Sequence, residues 1–194
     1  MRVIAGSARR LPLVAPRGMT TRPTSDKVKE TLFNILAPEL YDAKFLDLFA
    51  GSGGIGIEAL SRGAASCTFI EKEKNAVAAI KKNLETTHFT DKARVLAADV
   101  TTSLYNLHPE GGYDIIFMDP PYGLGLEKTV LAELAKSGAA GDDTLIVIEA
   151  SSDTDMSYAQ SLGFEITRIK QYKNNKHVFA RRRSDEKSDI PGQL

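Results

Sequence analysis

The sequence predicts an α/β protein built around a mostly parallel, doubly wound sheet, and two observations support this class. From Lys44 onward, short apolar runs typical of buried strands alternate with segments whose apolar residues recur at helical spacing. Repeated strand–helix units imply parallel strands with helices on both faces. The chain then closes with two alternating segments separated by a polar turn, which is typical of a hairpin. This hairpin predicts one antiparallel strand at an edge of the sheet.

The first 36 residues are predicted to form a basic extension packed on the core. Short extended segments are expected at residues 3–4 and 11–14. A helix over residues 26–36 follows, because apolar residues recur there at helical spacing and Thr24 or Ser25 can cap its start. The proline two residues beyond is expected to end this helix.

The core domain is predicted to cover residues 37–183. Its strands are expected at residues 45–49, 67–71, 94–97, 113–118 and 144–149. The helices that connect or follow them are expected at residues 54–62, 74–87, 101–107, 126–136 and 157–162. The terminal hairpin comprises residues 164–172 and 177–182, joined by the turn 173–176. Residues 184–194 are polar and are predicted to form a flexible tail.

Composition narrows the class of protein. A chain of 194 residues with 42% apolar and 26% charged side chains suits one globular domain, and it contains no apolar run of the ~18 residues that a membrane span needs. The N-terminus lacks a signal-peptide layout, and a single cysteine fits a reducing cytoplasm. Three dispersed histidines and one cysteine form no metal-ligand cluster, so no metal site is expected. The default expectation is a cytoplasmic monomer.

The net charge of zero conceals an asymmetry. Residues 1–30 carry seven basic and two acidic side chains, and residues 165–183 carry seven basic and one acidic. Residues 31–164 carry ten basic and nineteen acidic side chains. Basic ends around an acidic centre favour a polyanion bound at one face, although such ends can also be solvated without binding anything.

A glycine-rich turn follows the first predicted strand of the core. Gly51, Gly53 and Gly56 have the spacing of a dinucleotide fingerprint, and the acid Glu71 comes twenty residues after Gly51. A strand that enters a helix through glycines lets a ligand approach the backbone closely. The pattern does not separate a nicotinamide cofactor from S-adenosylmethionine, since both offer a ribose diol to a carboxylate.

The carboxyl ends of several predicted strands carry acids. In a doubly wound sheet the ligand lies beyond these ends. A positively charged sulfonium and amino group, a ribose diol and an adenine amine all favour carboxylates, whereas a bound pyrophosphate does not. The residues placed there are Asp47, Phe49, Gly51, Glu71, Lys72, Asp99, Val100 and the segment 119–122.

The segment Asp119-Pro120-Pro121-Tyr122 follows the fourth predicted strand of the core. Two consecutive prolines stop the strand rigidly, which leaves the backbone carbonyls of Asp119 and Pro120 fixed at the cleft. A carboxylate and a carbonyl can together hold both protons of an exocyclic amine and turn its lone pair toward an electrophilic methyl group. Tyr122 offers a ring on which a flipped base can stack. This chemistry needs no strong general base.

These motifs resemble those of Rossmann-like class I amino methyltransferases dependent on S-adenosylmethionine. The segments 2–6, 21–36 and 47–63 are further similar to the RsmD family, whose members methylate the N2 amine of one guanine in 16S ribosomal RNA. The Asp-Pro-Pro-Tyr segment alone is shared with enzymes that methylate adenine or cytosine in DNA. The Arg-Pro-Thr helix before the first core strand is what narrows the resemblance to this family.

The resemblance implies a role for each matching residue. Asp47, Gly51 and Gly53 would cradle the methionine part of S-adenosylmethionine, Glu71 the ribose hydroxyls and Asp99 the adenine amine. Asp119 and Pro120, with Pro121 beside them, would hold the guanine amine, and Tyr122 would stack on the base. The other expected cofactor-binding residues are Phe49, Ser52, Lys72, Val100, Arg22 and Thr24, of which the last two approach either the cofactor or the target nucleotide. The expected RNA-binding residues are Arg2, Arg9, Arg10 and Arg17.

Three other functions remain open on the sequence. A DNA adenine-N6 or cytosine-N4 methyltransferase would share the catalytic segment, although the short chain shows no separate target-recognition domain. A nicotinamide oxidoreductase would share the glycine turn and leave the Asp-Pro-Pro-Tyr segment unexplained. A non-catalytic RNA-binding assembly factor could keep the whole fold.

Some residues outside these motifs also carry expectations. Cys67 and the stripe of Leu32, Phe33 and Leu36 are expected in the core. His177 is expected to be structural or to face RNA, and residues 181–183 either contact phosphate or are solvated.

Overall fold

The computed structural model describes residues 1–16, 25–107 and 112–183. Within these ranges the chain forms five α-helices and seven strands. The helices are α1 (Asp26–Leu40), α2 (Gly54–Ser61), α3 (Lys74–Thr87), α4 (Val100–Asn106) and α5 (Leu126–Lys136). The strands are β1 (Lys44–Leu48), β2 (Ser66–Ile70), β3 (Ala93–Leu96), β4 (Tyr113–Met118), β5 (Ala140–Ser151), β6 (Phe164–Gln171) and β7 (Asn175–Arg182). The segment Ser157–Leu162, predicted as a helix, is a 3₁₀ helix.

The strands pair into one sheet in the order β3-β2-β1-β4-β5-β7-β6, and β1 to β5 are all parallel. Each central strand buries both of its faces, so helices pack on both sides of the sheet. One face packs under α1, α2 and α3, with Phe45, Phe69 and Phe117 in its core. The other face packs under α4 and α5, with Leu48 and Met118 in its core. The predicted α/β class and doubly wound sheet are confirmed.

The terminal hairpin differs from the prediction in its placement. The antiparallel strand β7 does not lie at the edge; it is inserted between β5 and β6, and β6 forms the edge. Strand β5 is also longer than the predicted residues 144–149, because its last residues pair with the start of β7, as in Ser151 with Asn175. A hairpin pattern specifies which two strands pair with each other, and only tertiary packing decides which of them joins the sheet.

Helix α1 also continues past the predicted end. Ser25 caps its start by accepting a hydrogen bond from the Val28 amide (3.3 Å), and Pro38 lies inside the last turn instead of ending it. Leu36 and Leu40, on either side of the proline, are both buried. Apolar burial of this turn therefore outweighs the hydrogen bond that the proline removes.

The N-terminal segment is bound to the core by a buried carboxylate. The two predicted extended segments pair with each other over a short stretch: Arg2 and Pro12 form a bridge, and the amides of Val3 and Leu13 donate to the carbonyls of Leu11 and Met1 (3.0 Å each). The amides of Ile4 and Ala5 donate to the Glu58 carboxylate on α2 (2.8 and 2.9 Å). Glu58 is fully buried, so these bonds fix the segment against the helix. No helix in the described part of the chain is long and apolar enough to cross a membrane.

Candidate active site

A cavity of about 990 Å³ opens at the carboxyl ends of the central strands. Strand register explains why its residues meet: Leu48 of β1 pairs with both Ile70 of β2 and Met118 of β4, and Met118 also pairs with Ile148 of β5. The residues that follow these four positions therefore emerge side by side. The sequence-predicted site residues that line the cavity are Asp47, Phe49, Gly51, Ser52, Glu71, Lys72, Asp99, Val100, Asp119, Pro120, Pro121 and Tyr122.

Asp47 joins the end of β1 to the start of α2. Its Oδ2 accepts a hydrogen bond from the Gly56 amide (2.9 Å), and its side chain is buried. Burial and the nearby charge of Glu71 raise the pKa of Asp47 to about 7, against the opposing effect of the Gly56 hydrogen bond. A Cβ at Gly56 would come within 2.3 Å of the Phe69 ring, so this glycine permits close packing of α2 on the sheet.

Glu71 is bonded to the glycine turn itself. Its Oε2 accepts from the Gly51 amide (2.8 Å) and its Oε1 from the Glu73 amide (2.9 Å). Gly51 has a φ of +56° and no atom within 4 Å of the position of an added Cβ, so the turn borders open space at this point. Gly53 has a φ of +77° and supports the turn from behind, since an added Cβ would meet Ile80 and Phe69 instead of the cavity. Gly53 thus does not line the cavity, unlike its expected role.

Asp99 forms the N-cap of α4 on the far side of the cavity. Its Oδ1 accepts from the Thr101 amide (2.9 Å) and hydroxyl (2.6 Å). These hydrogen bonds, led by that of the Thr101 hydroxyl, lower the pKa of the exposed Asp99 carboxyl. Asp99 therefore places a negative charge at the rim of the cavity.

Asp119 and Tyr122 are held in different ways. Asp119 follows β4 directly, and burial, with the charges of Glu149 and Asp47, raises its pKa well above the ordinary value. Tyr122 lies on the loop before α5 and is 48% exposed. Burial of its hydroxyl, together with the charges of Glu149 and Asp119, also raises its pKa. The segment thus combines a desolvated carboxyl with an accessible ring.

Phe49, which also lines the cavity, has a φ of +60°, a strained value for a non-glycine residue.

The structure adds residues to the site that the sequence interpretation did not assign. Glu149, at the end of β5, accepts from Asn175 (2.5 Å) and Tyr122 (3.3 Å) and contacts His177 (3.2 Å). Burial opposes ionisation of Glu149, but hydrogen bonding and charge interaction with His177, followed by the bonds from Asn175 and Tyr122, lower its pKa. Its position as the last residue of a predicted strand was the signal that could have identified it.

Lys29 of α1 is a second addition, on the N-terminal side of the cavity. Its Nζ donates to the Arg2 carbonyl (2.7 Å) and lies 3.2 Å from Glu58 Oε2, and its side chain is buried. Desolvation lowers the pKa of Lys29 despite the attraction of Glu58. Arg62 also binds Glu58 (2.8 Å). Lys29, Glu58 and Arg62 therefore form one connected group of charges that fixes this wall of the cavity.

Three of the predicted RNA-binding arginines are described by the structure, and Arg2, Arg9 and Arg10 do not line the cavity. Arg2 pairs with Asp26 through a 3.0 Å contact, and Arg9 and Arg10 are exposed on the N-terminal segment. Arg17, Arg22 and Thr24 lie outside the described residues. Among the residues that the structure describes, no group of three or more His, Cys, Asp or Glu side chains is arranged to hold a metal ion.

Other sequence interpretations are tested by burial. Cys67 is a buried free thiol, and Leu32, Phe33 and Leu36 are fully buried core residues, as predicted. His177 is completely buried, so it is structural and does not face RNA in this state.

Comparisons with known proteins agree with this architecture. The family model described as "Conserved hypothetical protein 95" matches residues 1–181, which include every residue of the cavity wall. A Haemophilus influenzae protein named ribosomal RNA small subunit methyltransferase D is 37% identical over 156 residues, covering 79% of this chain and 80% of its own. The Escherichia coli protein of the same name is 38% identical over 156 residues, covering 80% and 77%. The solved structure of Escherichia coli yhhF matches with a TM-score of 0.82 at 35% identity, covering 94% of this chain and 97% of that one.

Proposed function

We propose that this chain, which belongs to the RsmD family of ribosomal RNA methyltransferases, transfers a methyl group from S-adenosylmethionine to the exocyclic N2 amine of a guanine in 16S ribosomal RNA. The observation that carries this proposal is that the glycine turn after β1 and the Asp-Pro-Pro-Tyr segment after β4 line one cavity. The proposed cofactor site and the proposed amine-holding site would therefore share a single space. A cytoplasmic monomer acting on small-subunit RNA, or on an assembly intermediate that contains it, is part of the same proposal.

The cavity fits S-adenosylmethionine in size and in chemistry. Its volume of about 990 Å³ is large for a small-molecule site and leaves room for a flipped base beside the cofactor. Glu71 and Asp99 present carboxylates suited to a ribose diol and an adenine amine, and Asp47 lies on the side expected for the charged methionine part. Apolar surface from Phe49, Ile70 and Val100 would bury the adenine ring.

The bound cofactor would supply an electrophilic methyl group on a positively charged sulfur. The chain's own residues would hold the target amine: the Asp119 carboxylate and the Pro120 carbonyl each accept one N–H, which leaves the nitrogen lone pair directed at the methyl. Transfer would form the carbon–nitrogen bond as the methyl group leaves the sulfur, and the amine nitrogen would then release one proton. Its raised pKa makes Asp119 a better acceptor for that proton than an exposed aspartate would be.

The first experiment measures methyl transfer from labelled S-adenosylmethionine to unmodified small-subunit RNA, alone and with ribosomal proteins, and maps the modified nucleoside. We expect N2-methylguanosine with the wild-type chain. Asp119→Asn should lower kcat by about 100-fold or more, since it removes an anionic acceptor at the reacting nitrogen. The variant should still bind S-adenosylhomocysteine in calorimetry. Asp142→Asn, an exposed aspartate outside the cavity, is the matched control.

The other outcomes select among the alternatives. Label in DNA adenine or cytosine, with none in RNA, would identify a DNA amino methyltransferase. Tight RNA binding that survives Asp119→Asn, with no transfer by the wild-type chain to any RNA or assembly intermediate, would identify a non-catalytic assembly factor. Binding of a nicotinamide cofactor in preference to S-adenosylhomocysteine would indicate an oxidoreductase.

A further inference from the structure

Glu149 lies where β5 reaches the cavity, next to the segment proposed to hold the target amine. Met118 pairs with Ile148 in the sheet, so the next residues, Asp119 and Glu149, emerge side by side. The Glu149 side chain is buried yet still lines the cavity. A buried carboxylate is retained at low energetic cost only when donors surround it, so its partners indicate what it does.

Three side chains converge on the Glu149 carboxylate. The Asn175 amide (2.5 Å) and the Tyr122 hydroxyl (3.3 Å) donate to Oε1, and His177 Nε2 lies 3.2 Å from Oε2. An ionised carboxylate only accepts hydrogen bonds, so His177 presents its Nε2 proton to Glu149. In the neutral form of the ring, Nδ1 is then an acceptor, and the Tyr172 hydroxyl, 3.1 Å away, donates to it.

The two ends of this network differ in rigidity. His177 is fully buried in β7, where its ring packs edge-on against both Tyr172 and Phe117. Tyr122 is half exposed on a loop in which Gly123 has a φ of +77°. The hairpin of β6 and β7 therefore provides a fixed anchor, and Glu149 connects that anchor to a side chain on a loop.

We propose that Glu149 is a positioning residue for methyl transfer: held by His177 and Asn175, it restrains Tyr122 through the hydroxyl so that the ring is set to stack on the target base. This inference rests on the proposed function, because it assigns the ring a base to hold. The distance of 3.3 Å from the hydroxyl to Glu149 exceeds that of an ordinary O–H···O bond. Bonds of this kind in ligand-free sites commonly shorten when substrate binds.

The kinetic test compares Glu149→Gln and Tyr122→Phe with the wild-type chain on the RNA substrate. Each variant should lower kcat by about ten-fold, because a reacting group held less well loses orientation. The KM for RNA should change by less than about two-fold, since phosphate contacts supply most RNA affinity. The matched control is Glu127→Gln, which alters a buried carboxylate outside the cavity and should leave both constants unchanged.

The double variant separates positioning from an independent effect. If Glu149 acts through the Tyr122 hydroxyl, the Glu149→Gln/Tyr122→Phe chain should again lose about ten-fold in kcat and not about one hundred-fold. Multiplicative losses would overturn the proposal. A Tyr122→Phe variant as active as the wild-type chain would also overturn the proposal. This second test remains valid even if Glu149→Gln fails to fold.

A spectroscopic readout keeps the inference separate from the proposed function. The protein is labelled with ¹³C at tyrosine Cζ, and the Tyr122 resonance is assigned by its loss in Tyr122→Phe. This resonance should shift in Glu149→Gln and stay in place in Glu127→Gln. A shift without any RNA methylation by the wild-type chain would keep the tether and reject the proposed reaction. Methylation with no shift and unchanged kcat in Glu149→Gln would keep the reaction and reject the tether.

Discussion

At the scale of single residues, Asp47 shows how burial of a carboxyl proposed to face the cofactor conflicts with stability. The carboxyl is buried at the end of a central strand, where the Gly56 amide is its hydrogen-bond donor and Glu71 is a neighbouring acid. Burial raises its pKa from about 3.8 to about 7. Asp47 therefore resists ionisation in the absence of a positively charged ligand, and a sulfonium cofactor would relieve that cost.

The raised pKa of Asp47 predicts a dependence of stability on pH. Between about pH 4 and pH 7 the folded chain holds more protons at Asp47 than the unfolded chain does. The contribution of the protonated Asp47 to the free energy of unfolding is therefore full below about pH 4 and is lost as the pH rises through about 7. Asp47→Asn removes this titration. The difference in the free energy of unfolding between the variant and the wild-type chain should therefore change in favour of the variant by on the order of 2–4 kcal/mol as the pH rises from about 4 to about 8.

Urea unfolding of both chains across this pH range measures the effect. Asp91→Asn, which alters an exposed aspartate, is the control and should follow the wild-type curve. An Asp47→Asn chain whose stability falls with pH as steeply as that of the wild type would show that Asp47 ionises normally. Asp47→Asn should also weaken S-adenosylhomocysteine binding.

At the scale of secondary-structure elements, the arginines at the end of β7 hold helices in place. Arg182 donates to the carbonyls of Leu134 (3.1 Å) and Ala135 (3.0 Å) at the end of α5, and to that of Ala140 (3.1 Å). Arg181 bonds Glu39 of α1 and the Asp143 carbonyl. Both side chains bond within the protein, so they are not the freely solvated ends that the sequence allowed. A cation is favourable at a helix C-terminus, where carbonyls lack intrahelical donors.

Arg182→Met should therefore destabilise the chain by about 1–3 kcal/mol, because it leaves up to three carbonyls without their donor while keeping much of the apolar contact over Phe164. Arg183→Met is a matched control from the same run, since its side chain is exposed. Thermal unfolding followed by circular dichroism distinguishes them. Equal stability of the two variants would mean that water replaces the Arg182 bonds without loss.

At the scale of the whole molecule, acidic and basic side chains are concentrated in different places. The cavity gathers acids from the ends of five strands, whereas Arg9 and Arg10 lie exposed on the N-terminal segment. An anionic RNA backbone would be repelled by the cavity and attracted to exposed cations such as these, and only a single base, carrying no phosphate charge, would enter the cavity. This arrangement is consistent with the proposed division between backbone contacts and base chemistry.

The proposed role of the N-terminal arginines predicts how RNA affinity depends on salt. The logarithm of the RNA affinity should fall linearly with the logarithm of salt concentration, and Arg9→Gln/Arg10→Gln should reduce the magnitude of that slope by about one to two. Arg94→Gln, which removes an exposed charge on β3, is the control. Filter binding over a range of salt measures the slopes. An unchanged slope in the double variant would remove these residues from the RNA interface.

Most of the fold was predictable because its signals are local. Apolar strand runs, the helical stripe of α1 and the hairpin turn each depend on neighbours within a few residues, and each formed close to its predicted position. The misplaced details depend on distant contacts. The end of α1 beyond Pro38 is decided by burial of Leu40, and the position of β7 by its pairing with β5.

The sequence by itself determined which chemical groups are present: a glycine turn after one strand, an Asp-Pro-Pro-Tyr segment after another, and acids at several strand ends. Tertiary structure decided which of them meet. Glu149 and Asn175 are 26 residues apart, and Lys29 and Glu58 belong to different helices, yet each pair is in contact. Such contacts leave no periodic trace along the chain, since they arise only when strand register and helix packing bring the residues within hydrogen-bond distance.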